Sequence, residues 1–443
     1  MICQVQRWKS LERWVPGGNA DWECIHPLVS LDALLTPRIE HVRVNQTLGE
    51  WTPITIHFDG SIVPRERNTP FKGTMFAAYP GDLIFSKIDA RNGAISLIPE
   101  SLQKVVVTSE YPIHTVNTSL IDGCYMAMLL RTPNFLKLIR NSGSGTSGRK
   151  RITPENFRTI EIPLPDLEEQ RYLIAAYQQA LDRAAELDAQ AQQIEGEAQR
   201  EFEAALGLAP PPNLPKRPLQ IARFKDIERW SHEGILQTAL LGDAPPESKF
   251  EIVQLGGIAT VSYGLQKCPA NRPDKHPRPY LRVANVQRGY LDLRRIKTIN
   301  VPDADMSKYR LEDGDVLLCE GNSADLVGRG AIWRNEIADC VHQNHVLRVR
   351  LDREKALPDF ILSFINSLSG QSYFRSKAKR TTNLASINST EVSNLPVPLP
   401  DKHLQASLVG DIEIAARRSS ALSERASELR TTAWNDFIAA VFA

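Results

Sequence analysis

The chain repeats itself. Residues 152–208 align without a gap on residues 387–443, at an offset of 235, and fifteen of the 57 positions are identical. Pro163-Leu164-Pro165-Asp166 recurs as Pro398-Leu399-Pro400-Asp401, and Gln170 recurs as Gln405. Phe202-Glu203-Ala204-Ala205 recurs as Phe437-Ile438-Ala439-Ala440. Further upstream, Gly81-Asp82-Leu83-Ile84-Phe85 parallels Gly314-Asp315-Val316-Leu317-Leu318, and Gly93-Ala94-Ile95 parallels Gly330-Ala331-Ile332. Residues 7–14 parallel residues 223–230. A duplication of this kind limits the fold to two similar units, because whatever one copy forms the other must form too. The 443 residues fit two or three domains of ordinary size. The offset changes between anchors, so the middles of the copies have diverged more than their ends. A shared frame with divergent middles predicts one task performed on two different targets.

Each copy begins with short apolar segments that read as strands: residues 54–58, 82–86 and 105–108 in the first copy, and 280–286, 316–319 and 345–349 in the second. Residues 124–140 and 358–376 carry apolar positions at helical spacing. Each globular part is therefore mixed α and β. Each copy then ends in one long helix. Asp166 is suited to cap the first, with Glu169 placed to complete a capping box. Beyond it runs a 4–3 seam in which Leu173, Tyr177, Leu187 and Ile194 alternate with alanines. The second copy gives Leu408, Ile412, Leu422 and Leu429 in the same register. These eight are the candidate helix-pairing residues. Glu201 and Asp436 break the seam at matching places, and six of ten seam positions are identical. About 40 residues at 1.5 Å each make a rod on the order of 60 Å. The Pro-rich linker that follows spans at most roughly 30 Å at ~3.1 Å per residue, too short to retrace the helix. The second helix is therefore expected to run antiparallel to the first, with the globular parts at opposite ends.

Net charge is +1, from 53 basic and 52 acidic side chains. That balance alone argues against a polyanion partner, but its distribution does not. Residues 166–206 hold ten acids against three bases, and residues 401–443 six against five, so the helices carry −8 and the rest of the chain +9. Residues 267–297 contain nine Lys or Arg, including Lys267, Arg282 and Arg288. Smaller clusters, Arg149-Lys150-Arg151 and Lys379-Arg380, stand at corresponding places before the Pro-Leu-Pro motif, and Lys87, Arg91 and Asn92 follow the first Gly-Asp strand. Basic, Gly/Ser-rich loops suit phosphate contacts. Asn285, Gln287, Asn322, Arg329, Gln343 and Asn344 are residue types that read base edges.

Catalytic motifs fail on inspection. Residues 143–150 read Gly-Ser-Gly-Thr-Ser-Gly-Arg-Lys, which lacks the Lys and Ser/Thr of a phosphate loop at the required places. His342 and His345 lack a Cys or carboxylate pair at metal-ligand spacing, so no metal site is expected. There is no Gly-x-Ser-x-Gly elbow, and no Asp/Asn-Pro-Pro-aromatic tetrapeptide of the kind amino-methyltransferases use to hold a target amine. Six scattered cysteines without a CxxC pair fit a reducing cytoplasm. The polar N-terminus and the lack of a ~20-residue apolar run predict neither a signal peptide nor a membrane span.

These features resemble the DNA-specificity subunits of type I restriction-modification systems. The resemblance covers essentially the whole chain. Its most specific parts are the junctions, Ser144-Gly145-Thr146 through Ile152 and Ile162 through Gln170, with the second copy from Leu395 to Gln405. Tyr280 to Val286, Gly314 to Asn322 and Gly328 to Ala331 also look like target-recognition segments of this family. The second helix start departs from the pattern, with Lys402-His403-Leu404 in place of Leu167-Glu168-Glu169, which weakens the expected capping there. The resemblance implies an α+β chain with target-recognition domains at residues 1–165 and 219–400, conserved helices at 166–207 and 401–443, and a linker at 208–218. Such subunits read a split, asymmetric double-stranded DNA target and use the paired helices as a ruler. They dock two methyltransferase subunits and, in restricting complexes, two restriction subunits. S-adenosylmethionine, ATP and Mg are then used by those partners, and this chain binds no cofactor. Two readings compete: a protein scaffold that joins two partners through its coiled coil without reading DNA, and a bipartite enzyme with an unrecognised site. The basic stretch at 267–297 argues against the first, and the absence of a paired constellation against the second.

Overall fold

The computed structural model describes residues 25–42, 50–65, 74–142, 151–209, 247–269, 272–273, 275–323, 326–380 and 384–442. The repeat at residues 7–14 and 223–230, the glycine-rich run at 143–150 and most of the Pro-rich linker lie outside them. The chain divides into two compact units, Met1–Leu187 with Glu424–Ala443, and Asp188–Ser423.

In the first unit a four-stranded antiparallel sheet runs in the order Leu35–Pro37, Ile113–Val116, Leu83–Phe85, Ile95–Leu97. A second sheet runs His41–Val42, Met75–Ala78, Val105–Thr108, Thr52–Ile56, Ile62–Pro64. The strand Leu28–Ser30 pairs with Glu161–Pro163. The β-branched run Val105-Val106-Val107 fits a strand whose two faces are both covered. The second unit repeats the scheme. Its four-stranded sheet runs Ala259–Ser262, Val346–Leu351, Val316–Cys319, Gly330–Ile332, and Ile252–Gln254 pairs with Pro396–Pro398.

The repeated Gly-Asp pair shows how sequence identity becomes structural identity. Gly81 and Gly314 turn with φ +81° and +85°, a conformation that favours glycine. The next residue, buried Asp82 or Asp315, accepts a hydrogen bond from Tyr79 N (2.9 Å) or Glu312 N (2.7 Å). Each carboxylate also holds an arginine from a neighbouring strand or strand end, Arg38 at 2.8 Å and Arg350 at 2.7 Å. A buried carboxylate needs such partners.

Three expectations change. The helix expected over residues 124–140 is two, Gly123–Leu129 and Pro133–Ser142, because Thr132 accepts from Phe135 N (3.2 Å) and starts a new helix at Pro133. The helix expected over 358–376 likewise divides into Pro358–Asn366 and Leu368–Lys377, with Ser367 capping the second. The strand expected at 280–286 ends at Leu281, where Asn285 Oδ1 accepts from Arg282 N (3.0 Å) and turns the chain.

The long helices span Leu167–Ala205 and Lys402–Phe442. Asp166 Oδ1 accepts from Glu169 N (2.9 Å), and Asp401 Oδ1 accepts from Leu404 N at the same distance. The second helix start is thus capped like the first despite its different sequence. Glu169 Oε2 lies 3.7 Å from His26 Nδ1. Leu187 and Leu408 are buried, and Leu173, Tyr177, Ile194, Ile412, Leu422 and Leu429 are half-buried. The helices touch within each unit. In the first, the Tyr177 and Trp434 rings lie 5.9 Å apart. In the second, Ser419 Oγ donates to Glu195 Oε1 (2.6 Å).

Both helices complete the globular cores. Phe437 and Val441 are buried with Tyr125, Phe135 and Phe157 in the first unit, where Phe437 packs edge-on to Tyr125 at 5.9 Å. Phe202 and Leu206 are buried with Phe360 and Phe374 in the second. These are the repeated Phe-x-Ala-Ala motifs, one residue beyond Glu201 and Asp436. The break in the seam is where each helix turns its apolar face into a core.

Candidate nucleic-acid interface

Each unit ties its globular part to its long helix with the same device. Gln170 and Gln405 are both fully buried. Gln170 Nε2 donates to Pro165 O (2.8 Å) and Leu120 O (3.1 Å), and its Oε1 accepts from Asp122 N (2.7 Å). Gln405 Nε2 donates to Pro400 O (2.8 Å) and Lys355 O (3.3 Å), and its Oε1 accepts from Leu357 N (2.8 Å). Asp122 and Leu357 are the N-cap residues of Gly123–Leu129 and Pro358–Asn366. A primary amide carries both donors and an acceptor, so one side chain locks each globular part to the start of its long helix.

In the first unit the basic side chains gather around one turn. Ser86 Oγ accepts from Asp89 N (3.1 Å), and the chain passes through the short helix Ala90–Asn92 to Gly93. Lys87 O accepts from Ile152 N (2.9 Å), and Arg91 O accepts from Arg140 Nε (3.1 Å). Lys87, Arg91, Arg140 and Arg151 thereby line one cleft together with Ile88, Ile139 and Ile152. Glu110 lies 3.5 Å from Arg151, and Glu155 is within electrostatic reach of Lys87. Four cations lining one cleft are the residue types that suit phosphate contacts. Arg140 was not singled out from sequence. Its only signal there is a place in the last turn of an amphipathic helix. Exposed Asn92 donates to Asp89 Oδ1 (3.1 Å). Arg149 and Lys150 lie outside the described residues.

In the second unit Pro277–Leu281 pairs in parallel with Val341–His342, so the chain emerges from both strand ends side by side. Gln343 N donates to Leu281 O (2.9 Å) and Asn344 N to Leu265 O (3.0 Å), which brings the segment bearing exposed Lys267 alongside. Gln343 and Asn344 are half-buried at this edge. Arg288 Nη2 donates to Gln371 Oε1 (2.9 Å), and Gln287 Nε2 donates to Ala284 O (2.9 Å). Asn322, on the strand Gly321–Asn322, accepts from Ser323 N (2.9 Å). Lys379 is exposed on the strand Lys379–Arg380 of the same sheet. The Arg380 side chain is outside the description.

Three candidates brace loops instead. Asn285 is 3 % exposed, and besides holding Arg282 N it donates to Asp292 O (2.8 Å). Arg329 is 8 % exposed and donates through Nε to Val286 O (2.9 Å). Arg282 donates through Nη2 to Arg295 O (2.9 Å). An irregular loop has no ladder for its carbonyls, and these side chains satisfy them. Of the nearby cations, Arg278 pairs with Asp303 and Asp339, and Arg294 grips Asp292 at 2.7 Å, which holds that carboxyl down to about 2. Lys267, Arg272, Lys275, Arg288, Arg295 and Lys297 are exposed.

The histidines serve the fold. His342 is buried, with Nδ1 2.7 Å from Val346 O and Nε2 without a partner, and burial lowers its pKa to about 4. His345 lies against Glu320. Among the described residues no group of three His, Cys, Asp or Glu is arranged to hold a metal ion.

Residues 74–195 match the family model described as Type I restriction modification DNA specificity domain. The chain is 26 % identical over 297 residues to the type I restriction enzyme EcoKI specificity subunit of Escherichia coli (strain K12), which covers 66 % of this chain and 58 % of that protein. It is 25 % identical over 296 residues to the StySPI specificity subunit of Salmonella potsdam, with the same coverage. The alignments thus span just under three-fifths of those relatives. A chain from a solved structure, described as the structural basis of complex assembly and conformational transition of the type I R-M system, superimposes with a TM-score of 0.54 at 18 % identity. That match covers 94 % of this chain and 97 % of the other, and it is a likeness of fold. Residues 74–195 thus match a type I restriction modification DNA specificity domain, and the chain is similar to specificity subunits of type I restriction enzymes.

Proposed function

We propose that this chain is the DNA-reading subunit of a type I restriction-modification complex. Its two recognition domains, residues 1–165 and 219–400, each read one half of a split, asymmetric target in double-stranded DNA. The helices at 166–207 and 401–443, joined through 208–218, pair antiparallel and set the spacing between the halves. Two methyltransferase subunits dock on the helices, with restriction subunits in complexes that cut. Adenine-N6 methylation with S-adenosylmethionine, and ATP- and Mg-dependent cleavage, belong to those partners, and this chain catalyses nothing. The site of action is the cytoplasm, and no helix among the described residues is long and apolar enough to cross a membrane.

The observation that carries this reading is the duplicated clamp. In each unit the same buried glutamine ties the start of a long helix to the globular part, which also carries the basic loops. Such rigidity suits a reader whose phosphate contacts set register while its loops read bases. A scaffold that only joined proteins would need no cationic loops. The test is co-expression with its methyltransferase subunit and mapping of N6-methyladenine in host DNA. The expected result is a two-part motif, one half of which changes when residues 20–150 are exchanged for another recognition domain. A complex that methylates nothing, or no complex at all, refutes it.

A further inference from the structure

In each unit an exposed aromatic ring stands on a tight turn, and both turns lie against the same repeated glycine. Phe58 is 61 % exposed between the strands Thr52–Ile56 and Ile62–Pro64. His57 N donates to Ser61 O (2.9 Å), Gly60 N donates to His57 O (3.0 Å), and Arg131 Nη2 donates to Gly60 O (3.2 Å). The Phe58 carbonyl oxygen lies 2.1 Å from where a Cβ on Gly93 would stand, so the turn rests on bare backbone that only glycine leaves open. Tyr290 is 63 % exposed on a turn closed by Gln287 N donating to Tyr290 O (3.0 Å). Its anchor is Gly289 N donating to Gly330 O (2.8 Å). Gly93 and Gly330 are equivalent in the duplication, each opening a Gly-Ala-Ile segment.

A single exposed aromatic residue is ordinary. Two of them, held rigidly at equivalent places in diverged copies, and differing in side chain while their glycine anchors agree, are the pattern of a device retained to meet two different ligands. Their surroundings name the ligand. Gly93 closes the turn that carries Lys87, Arg91 and Asn92. Arg288 stands two residues before Tyr290, and Arg294 lies within electrostatic reach of its hydroxyl. Each ring also has a carboxylate nearby, Asp59 next to Phe58 and Asp292 on Arg294, and a ring set beside cations complements a base step between phosphates.

We propose that Phe58 and Tyr290 are base-step probes, each ring pressing into the stack of one half-site while the adjacent cations hold the backbone. This rests on the DNA-reading function above. The test uses the full chain assembled with its methyltransferase subunits, on duplexes carrying the motif found by methylation mapping. Phe58→Ala and Tyr290→Ala should each weaken specific binding about ten-fold, with an unchanged salt dependence. Phe58→Trp and Tyr290→Phe should bind within about two-fold of the parent. Lys87→Ala should instead lower the salt slope by about one. A 2-aminopurine placed in one half-site should change its fluorescence on binding the parent, and lose that change with one alanine variant only. Alanine variants that bind within two-fold of the parent overturn the proposal. So does a variant that loses complex assembly while DNA affinity stays intact, since the ring would then be a protein contact. A parent complex that yields no methylated motif overturns the underlying reading instead.

Discussion

Replacing Gln170 by alanine removes three hydrogen bonds from a side chain with no solvent exposure. The bond to Pro165 O is buried, while those involving Leu120 O and Asp122 N are partly so. At about 1 kcal/mol net for each, and more where a buried acceptor is orphaned, the loss is roughly 3 kcal/mol before any void is counted. A unit of this size loses about 2–4 °C of melting temperature per kcal/mol, so the fall should be roughly 6–12 °C. Gln170→Glu separates bonding from volume. Its carboxylate fills the same space and still accepts from Asp122 N, yet it faces two carbonyl oxygens without a donor. It should be nearly as damaging at pH 7, and less so once protonation restores one donor. Calorimetry gives the melting temperature, and hydrogen exchange gives the location. The Asp122 amide should exchange faster in Gln170→Ala while Leu357, held by Gln405, stays protected. If the variant melts within a degree or two of the parent, with Asp122 still protected, the clamp is only a contact and the reasoning fails.

Burial lowers the pKa of His114 and of His342 to about 4, against about 6.5 in an unfolded chain. Between those values the unfolded chain binds protons that the folded one does not. Their contribution is therefore fully present above pH 6.5 and is lost as pH falls towards 4, by up to roughly 3 kcal/mol each. Urea unfolding at pH 7.5 and pH 5 reads this loss, and His114→Phe should flatten it; an equally steep acid limb in the variant would count against it. Gly93→Ala must place a Cβ 2.1 Å from Phe58 O at φ +106°, and should cost at least about 2 kcal/mol, whereas Gly257→Ala, which meets nothing within 4 Å, should be near neutral in the same denaturant titration. Inserting one heptad into Leu167–Ala205 should lengthen the spacer of the methylated motif or abolish recognition, with both half-sites unchanged. An unaltered spacer would show that the helices are not the ruler.

The long helices were legible because their information is one-dimensional: an acidic cap, a 4–3 seam and its copy fix start, face and register. Even the break at Glu201 and Asp436 was visible, but its meaning was not, because Phe202 and Phe437 reveal a new partner only once the cores exist. Single helices expected at 124–140 and 358–376 were each two, since the hydroxyls of Thr132 and Ser367 outweigh continuous apolar spacing. The basic stretches were legible from composition, and the partners of their side chains were not. Asn285 and Arg329 are residue types that read bases, yet both donate to carbonyls of the loop that holds Val286 and Asp292. Arg140 joins Lys87 and Arg91 only through tertiary packing. No local pattern separates a polar side chain facing inward from one facing a ligand.

The order of synthesis gives the buried Phe437 and Val441 a temporal meaning. They belong to the core of a unit whose other residues end at Leu187, so more than 230 residues must be made before that core can close. At ~5–20 residues per second this takes roughly 10–50 s, during which the apolar face around Tyr125 has no cover from its own chain. Of the two units, the one whose synthesis begins first is thus the last to finish folding. A nascent chain stalled before Glu424 should expose that face to chaperones and proteases, whereas the second unit, continuous from Asp188 to Ser423, can close as soon as its final helix segment emerges.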